Sequence, residues 1–142
     1  MGADAVKVLA WYRPDADKKV LEAQQQYVQK IGDECTKHDI LFLFELLVYP
    51  LSKDLYQTKE YVEMQNKKTD HVLESVREFS DKKYGVDVFK LESPVNVNKI
   101  TDSDLNAFKE MGDIAGRPWV MLSAGAGKKE FKQVLKLAFK AG

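Results

Sequence analysis

Within the apolar run VDVFKLESP (residues 86–94), Lys90 sits between Phe89 and Leu91, and Glu92 follows two positions on. Side chains alternate along a strand, so Lys90 and Glu92 share one face and Phe89 and Leu91 the other. A buried ammonium is costly unless it is paired or neutralised. Three other apolar runs carry a polar residue in the same way: Lys7 in AVKVLAWY (5–12), Glu45 in ILFLFELLVY (40–49) and Ser123 in PWVMLSAG (118–125). Their types suggest one chemistry. A lysine attacks a carbonyl only as the free amine, which burial and a neighbouring cation both favour. Lys90 is the candidate nucleophile and Lys7 the candidate cation. Glu45 is the candidate to move protons while a carbinolamine dehydrates to an imine. An iminium is an electron sink and promotes cleavage of the adjoining C–C bond. Ser123 and Gly125, in SAGAG, can offer a hydroxyl and unhindered backbone N–H groups to a phosphate.

Each residue has a plainer reading. Lys90 could simply pair with Glu45 or Glu92, and Lys7 could reach solvent. Ser123 could be a turn residue. Glu92 is read as a group that orients Lys90 or Lys7. Cys35 falls on an apolar stripe and reads as a small core residue. His38 and His71 read as surface residues, Trp11 and Trp119 as packing. The lysines at 128, 129, 132, 136 and 140 read as a solvated helix face.

The four runs that hold these residues are short, almost continuously apolar and rich in Val, Phe, Tyr and Trp, as suits strands buried on both faces of a parallel sheet. One set of alternating positions groups Ala5, Lys7 and Leu9; Leu43, Glu45 and Leu47; Val88, Lys90 and Glu92; and Met121 and Ser123. The opposite set, including Val6, Val8, Phe42, Phe44, Leu46, Phe89, Leu91, Val120 and Leu122, is expected to face helices. Between the runs lie helical patterns. Asp15 or Asp17 can cap a stripe of Leu21, Tyr27, Val28, Ile31 and Cys35. Thr69 or Asp70 can open Val72, Leu73, Val76 and Phe79. Ser103 can cap Leu105, Phe108 and Met111, with Gly112 at the end, and Phe131, Val134, Leu135 and Ala138 form a last face. The polar stretch 53–68 reads either as a helical turn or as a long loop.

The order is therefore β-α-β-α-β-α-β-α, an α/β chain with a parallel sheet. A doubly wound sheet and a (β/α)8 barrel compete. No G-x-G-x-x-G follows the first strand, which weakens dinucleotide binding. The polar strand residues recur at intervals somewhat longer than the roughly 31 residues of an average barrel unit. Four units make half a barrel, so residues 1–142 are expected to form one partial barrel domain, a piece of a longer chain. The opening strand, which begins almost at Met1, points the same way.

Lys plus Arg equals Asp plus Glu, 22 of each among 142 residues. That balance gives no footing for nucleic acid or an anionic membrane as partner. One cysteine allows no internal disulfide and fits a reducing, cytoplasmic setting. No run approaches 18 apolar residues.

GADAVKVL, FLFELLVYP, VDVFKLESPVN and PWVMLSAG, in that order, resemble the tagatose 1,6-bisphosphate aldolase family of class I, Schiff-base aldolases. The resemblance spans nearly the whole chain. It implies a (β/α)8 barrel of which these are strands four to seven. It also implies lyase activity within lactose and galactose catabolism, with glycerone phosphate and glyceraldehyde 3-phosphate as products and no metal or other cofactor. By resemblance Lys90 matches the Schiff-base lysine, Glu45 the catalytic glutamate, Lys7 the lysine of the AVK strand and Ser123 the serine of the phosphate-side LSAG motif. The family also uses an aspartate and a glutamine from its first strand and an arginine from its last loop, which do not lie in this chain. Sulfofructose phosphate aldolases are similar; PWVMLS leans toward them, PVN and SAG toward the tagatose enzyme. A non-catalytic sugar-phosphate-binding or regulatory protein on the same fold is the alternative of a different class. Half a barrel exposes two strand edges and an apolar interior, so association with further copies is expected.

Overall fold

The computed structural model describes residues 2–51 and 69–142. Its elements are β1 (Ala5–Trp11), α1 (Lys18–Lys37), β2 (Leu41–Leu47), α2 (Thr69–Phe79), β3 (Val88–Leu91), α3 (Leu105–Ala115), β4 (Trp119–Met121) and α4 (Lys128–Ala141). The strands pair in parallel in the order β1-β2-β3-β4. Each new strand joins the same side of the sheet, as in a barrel wall, whereas a doubly wound sheet reverses its order partway. The sheet therefore decides between the two expected architectures in favour of the barrel. The strands begin and end inside the four apolar runs. The stretch 53–68 lies outside the described residues.

One face of the sheet is covered by helices. Phe42, Phe44, Phe89 and Leu91 meet Val28, Val72, Val76, Phe79, Phe108, Met111 and Val134 there, all buried. The aromatic rings meet edge-on: Phe79 lies 4.9 Å from Phe44 and 4.8 Å from Tyr12, centroid to centroid. Such pairs add to the burial of apolar area. Close approach on this side needs a glycine. A Cβ on Gly32 of α1 would stand 1.9 Å from the Tyr84 carbonyl oxygen. Arg117 fastens the base of the sheet, donating to the carbonyls of Val86, Ser80 and Ala115 while lying over the Phe89 ring.

Several local expectations change. Asp17, not Asp15, caps α1, accepting the Lys19 N–H at 2.9 Å. Tyr27 leaves the buried stripe and is exposed, and the buried positions of α1 are Val28, Gly32 and Cys35. A capping box of Thr101 and Asp104, rather than Ser103, starts the turn into α3. Gly112 does not end α3. It lies within the helix, beneath the Trp119 indole, and Gly116 at φ +58° is the terminator. His71 is not a surface residue: its side chain is largely buried, with Nε2 3.8 Å from Asp15. Trp11 is exposed rather than packed, whereas Cys35 is buried as expected.

Candidate functional site

The other face of the sheet carries the ionisable residues. In register, Lys7 lies opposite Leu43, and Glu45 opposite Lys90. Residues paired across a parallel ladder point the same way, so alternation and register together bring Lys7, Glu45 and Lys90 to one side. Their tips converge on a single atom. Glu45 Oε2 lies 2.9 Å from Lys7 Nζ and 3.3 Å from Lys90 Nζ. The Glu45 side chain is buried, whereas those of Lys7 and Lys90 are 51% and 33% exposed. Burial pushes the Glu45 carboxyl up, but the hydrogen bonds and charges of Lys7 and Lys90 outweigh it, and the net shift is downward. A buried carboxylate with two lysine amines against one oxygen is held in its ionised form. Lys7 makes the shorter contact. Lys90 is held less closely to the same oxygen.

Glu92, on the same strand face, is buried and accepts the Val48 N–H at 2.7 Å. The carboxylate thus ties the end of β2 to the end of β3, beyond the last ladder pair. Sequence reasoning assigned Glu92 to the lysines and had no signal for this backbone partner. Ser93, also buried, folds its hydroxyl onto the Val95 carbonyl oxygen at 2.8 Å and turns the chain as it leaves the strand.

The fourth strand overturns one expectation. Lys90 lies opposite Val120, so Val120, not Met121, shares its face. Trp119 and Met121 pack into the helix-covered core. Leu122 joins Leu47, Ala124 and Leu9 on the open face. The expected phase was drawn from Ser123, but β4 ends at Met121, and alternation does not extend into a turn. Ser123 is exposed in the turn that follows, where its carbonyl oxygen accepts the Ala126 N–H at 2.8 Å. Ala124 and Gly125 both adopt positive φ, 48° and 81°. The turn runs directly into α4, whose N-cap is Gly127. The structure brings Lys7, Glu45 and Lys90 together; it places Ser123 and Gly125 on this turn beyond the C-terminal end of β4.

Sequence reasoning missed Arg13, just past β1 and buried. Its Nη1 donates to the Tyr49 carbonyl oxygen at 2.9 Å, and its Nε lies 2.7 Å from Asp15 Oδ1. Asp15 in turn reaches His71 of α2. A chain of polar contacts thus links the segments after β1 and β2, at the strand ends where barrel active sites are built. Only the run Arg-Pro-Asp directly after a strand hinted at it. Among the described residues no group of three or more His, Cys, Asp or Glu is placed to hold a metal ion, and no helix is long and apolar enough to cross a membrane.

A family model described as DeoC/LacD family aldolase matches residues 1–142. A tagatose 1,6-diphosphate aldolase 1 of Streptococcus mutans serotype c is 35% identical over 152 residues, covering 99% of this chain and 46% of that protein. A tagatose 1,6-diphosphate aldolase of Lactococcus lactis subsp. lactis is 32% identical over 152 residues, with the same coverage. The chain thus spans about half the length of the curated relatives it matches. Among solved structures, a Schiff-base-forming fructose-1,6-bisphosphate aldolase superposes with a TM-score of 0.65 at 18% identity, covering 99% of this chain and 48% of that one. An archaeal fructose-1,6-bisphosphate aldolase, with its catalytic lysine bound to a carbinolamine, gives a TM-score of 0.63 at 17% identity. At such identity these structures speak for the fold alone: a parallel α/β wall equivalent to about half of a barrel.

Proposed function

This chain belongs to the DeoC/LacD family of aldolases, and from that premise we propose that it carries the Schiff-base centre of a class I aldolase acting on a ketohexose bisphosphate. The observation that carries the reading is the convergence of Lys7 and Lys90 on one buried Glu45 oxygen. In the proposed reaction Lys90 Nζ, as the free amine, attacks the ketone carbon. Glu45 relays a proton from the attacking nitrogen to the carbinolamine oxygen, and with one further proton from solvent that hydroxyl leaves as water and yields the iminium. A base removes the proton of the hydroxyl on the carbon beyond the scissile bond. That bond breaks, and its electrons flow into the iminium to give an enamine. Protonation and hydrolysis of the enamine free the second fragment and regenerate Lys90. Lys7 balances the charge of Glu45 throughout. Ser123 and Gly125 are proposed to hold a substrate phosphate, and Glu92 to fix the strand ends around Lys90. The reaction needs no metal, because the iminium supplies the electron sink.

Tagatose 1,6-bisphosphate is the proposed substrate, since the relatives quoted above are named for it. Glycerone phosphate and glyceraldehyde 3-phosphate are the products. Incubation with this sugar should release glycerone phosphate at a rate unchanged by a chelator. Tight binding without release would contradict the enzyme reading and favour a sugar-phosphate-binding protein. Preferential cleavage of sulfofructose phosphate would move the substrate assignment.

A further inference from the structure

Glu45 and Lys90 face each other close to the end of a short ladder. Strands β2 and β3 pair only from Leu43 with Val88 to Leu46 with Leu91, so Glu45 with Lys90 is the last pair but one. Ladder ends are where strands open most readily, and buried backbone groups beyond them must find other partners. Two buried side chains of opposite charge supply those partners. From the β3 side Glu92 Oε1 accepts the Val48 N–H at 2.7 Å. From the β1 side Arg13 Nη1 donates to the Tyr49 carbonyl oxygen at 2.9 Å. Val48 and Tyr49, the third and fourth residues after Glu45, are thus held from both flanking strands. Arg13 is 4% exposed and Glu92 3%. Burying such groups is costly, but hydrogen bonds to a charged partner are roughly twice as strong as neutral ones.

We propose that Arg13 is a positioning residue: together with Glu92 it clamps the exit of β2 and so keeps the Glu45 carboxylate against Lys90. The kinetic consequences rest on the aldolase reading above; the clamp itself rests on geometry alone. Little slack is available. Glu45 Oε2 lies 3.3 Å from Lys90 Nζ, and a hydrogen bond is lost by about 3.6 Å. Arginine suits the position because its planar fork holds two partners at once. Nε lies 2.7 Å from Asp15 Oδ1 while Nη1 reaches the Tyr49 carbonyl. Asp15 therefore orients the fork that holds β2. A lysine would keep the charge as a point on a flexible stem and could not fix both partners in one plane. Arg13 acts on Glu45 through the backbone of β2, in the same way that Glu92 acts from β3.

Arg13→Lys should lower kcat on tagatose 1,6-bisphosphate roughly tenfold or more, the loss of a bond to a charged donor. KM should change by less than about twofold, since the substrate keeps its contacts. Asp15→Asn, a milder change at a partly exposed residue, should lower kcat in the same sense by about twofold to fivefold. Glu92→Gln keeps an oxygen for the Val48 N–H and should retain most of the parent kcat. With Glu45→Gln already present, Arg13→Lys should cost less than about twofold further, because residues that act through one another are not additive. Losses that simply multiply would overturn the proposal. So would a raised KM at unchanged kcat, which would put Arg13 on the substrate. Titration of the Glu45 carboxyl by carbon NMR needs no turnover. In Arg13→Lys and Asp15→Asn its midpoint should rise toward the ordinary glutamate value of about 4.3, as Glu45 loses its hold on Lys90. An unmoved midpoint would overturn the clamp. A parent chain without turnover whose midpoint still moves in the variants would overturn the aldolase reading and support the clamp.

Discussion

Alternate residues of the same strands build two different surfaces. On the helix-covered face Phe42, Phe44 and Phe89 are fully buried among rings and aliphatic chains. On the open face the neighbouring positions hold a buried carboxylate, Glu45, between two partly exposed lysines, Lys7 and Lys90. On the helix-covered side two tyrosine hydroxyls and the cysteine thiol are held toward their neutral forms. Burial, together with the nearby Glu78 carboxylate, raises both the Tyr12 and the Tyr84 hydroxyls. Tyr84 donates to Glu78, and Gln25 donates to the Tyr12 oxygen. Burial likewise raises the Cys35 thiol, keeping it from the reactive thiolate form. The difference teaches that the period of two in a strand can separate holding the sheet together from holding a reactive group.

Substitutions on the two faces should therefore fail differently. Lys90→Ala should abolish capture of glycerone phosphate by borohydride, while urea unfolding shifts by less than about 1 kcal/mol, the usual worth of a partly exposed pair. Glu45→Gln should slow turnover by about 10²–10⁴-fold, the typical contribution of a positioned acid–base group. Its effect on substrate affinity should be much smaller, as steady-state kinetics would show. Phe44→Ala, one residue away on the same strand, should cost about 3–5 kcal/mol of stability in urea melts. The molecules that remain folded should still trap ligand. A large loss of trapping in folded Phe44→Ala would blur the distinction between the faces.

The smallest expected effect is one of pH. The folded Glu45 carboxyl titrates below its unfolded value, ordinarily about 4.3. The unfolded chain therefore binds the proton first as pH falls. The stabilisation from Glu45 is complete above about pH 4.3 and is lost as pH drops through the lower folded value. The stability gap between the parent chain and Glu45→Gln should accordingly be constant near neutrality and narrow in acid. A gap that widens in acid would contradict the shared-carboxylate geometry.

The contrast between faces was legible in the sequence for three strands. In β1, β2 and β3 a charged residue stood inside the strand, where alternation holds, so Lys7, Glu45 and Lys90 marked the face correctly. The residue used to mark β4, Ser123, stood beyond the strand, and one residue of slip inverts every side chain. The ends of α1 and α3 were hard to place for a related reason. Asp15 and Ser103 are good capping types, but Arg13 claims Asp15, and Asp104 completes a capping box with Thr101. Contacts between segments distant in sequence, such as Arg13 with Tyr49 and Glu92 with Val48, leave no periodic trace. The sharing of one Glu45 oxygen by two lysines depends on register, which single strands do not reveal.

The most direct test of the account is to locate the bond it predicts. The chain is incubated with glycerone phosphate, reduced with borohydride, digested and sequenced by mass spectrometry. The account predicts one adduct, on Lys90, with Lys7 unmodified. An adduct on Lys7, or none while ligand is bound, would contradict it.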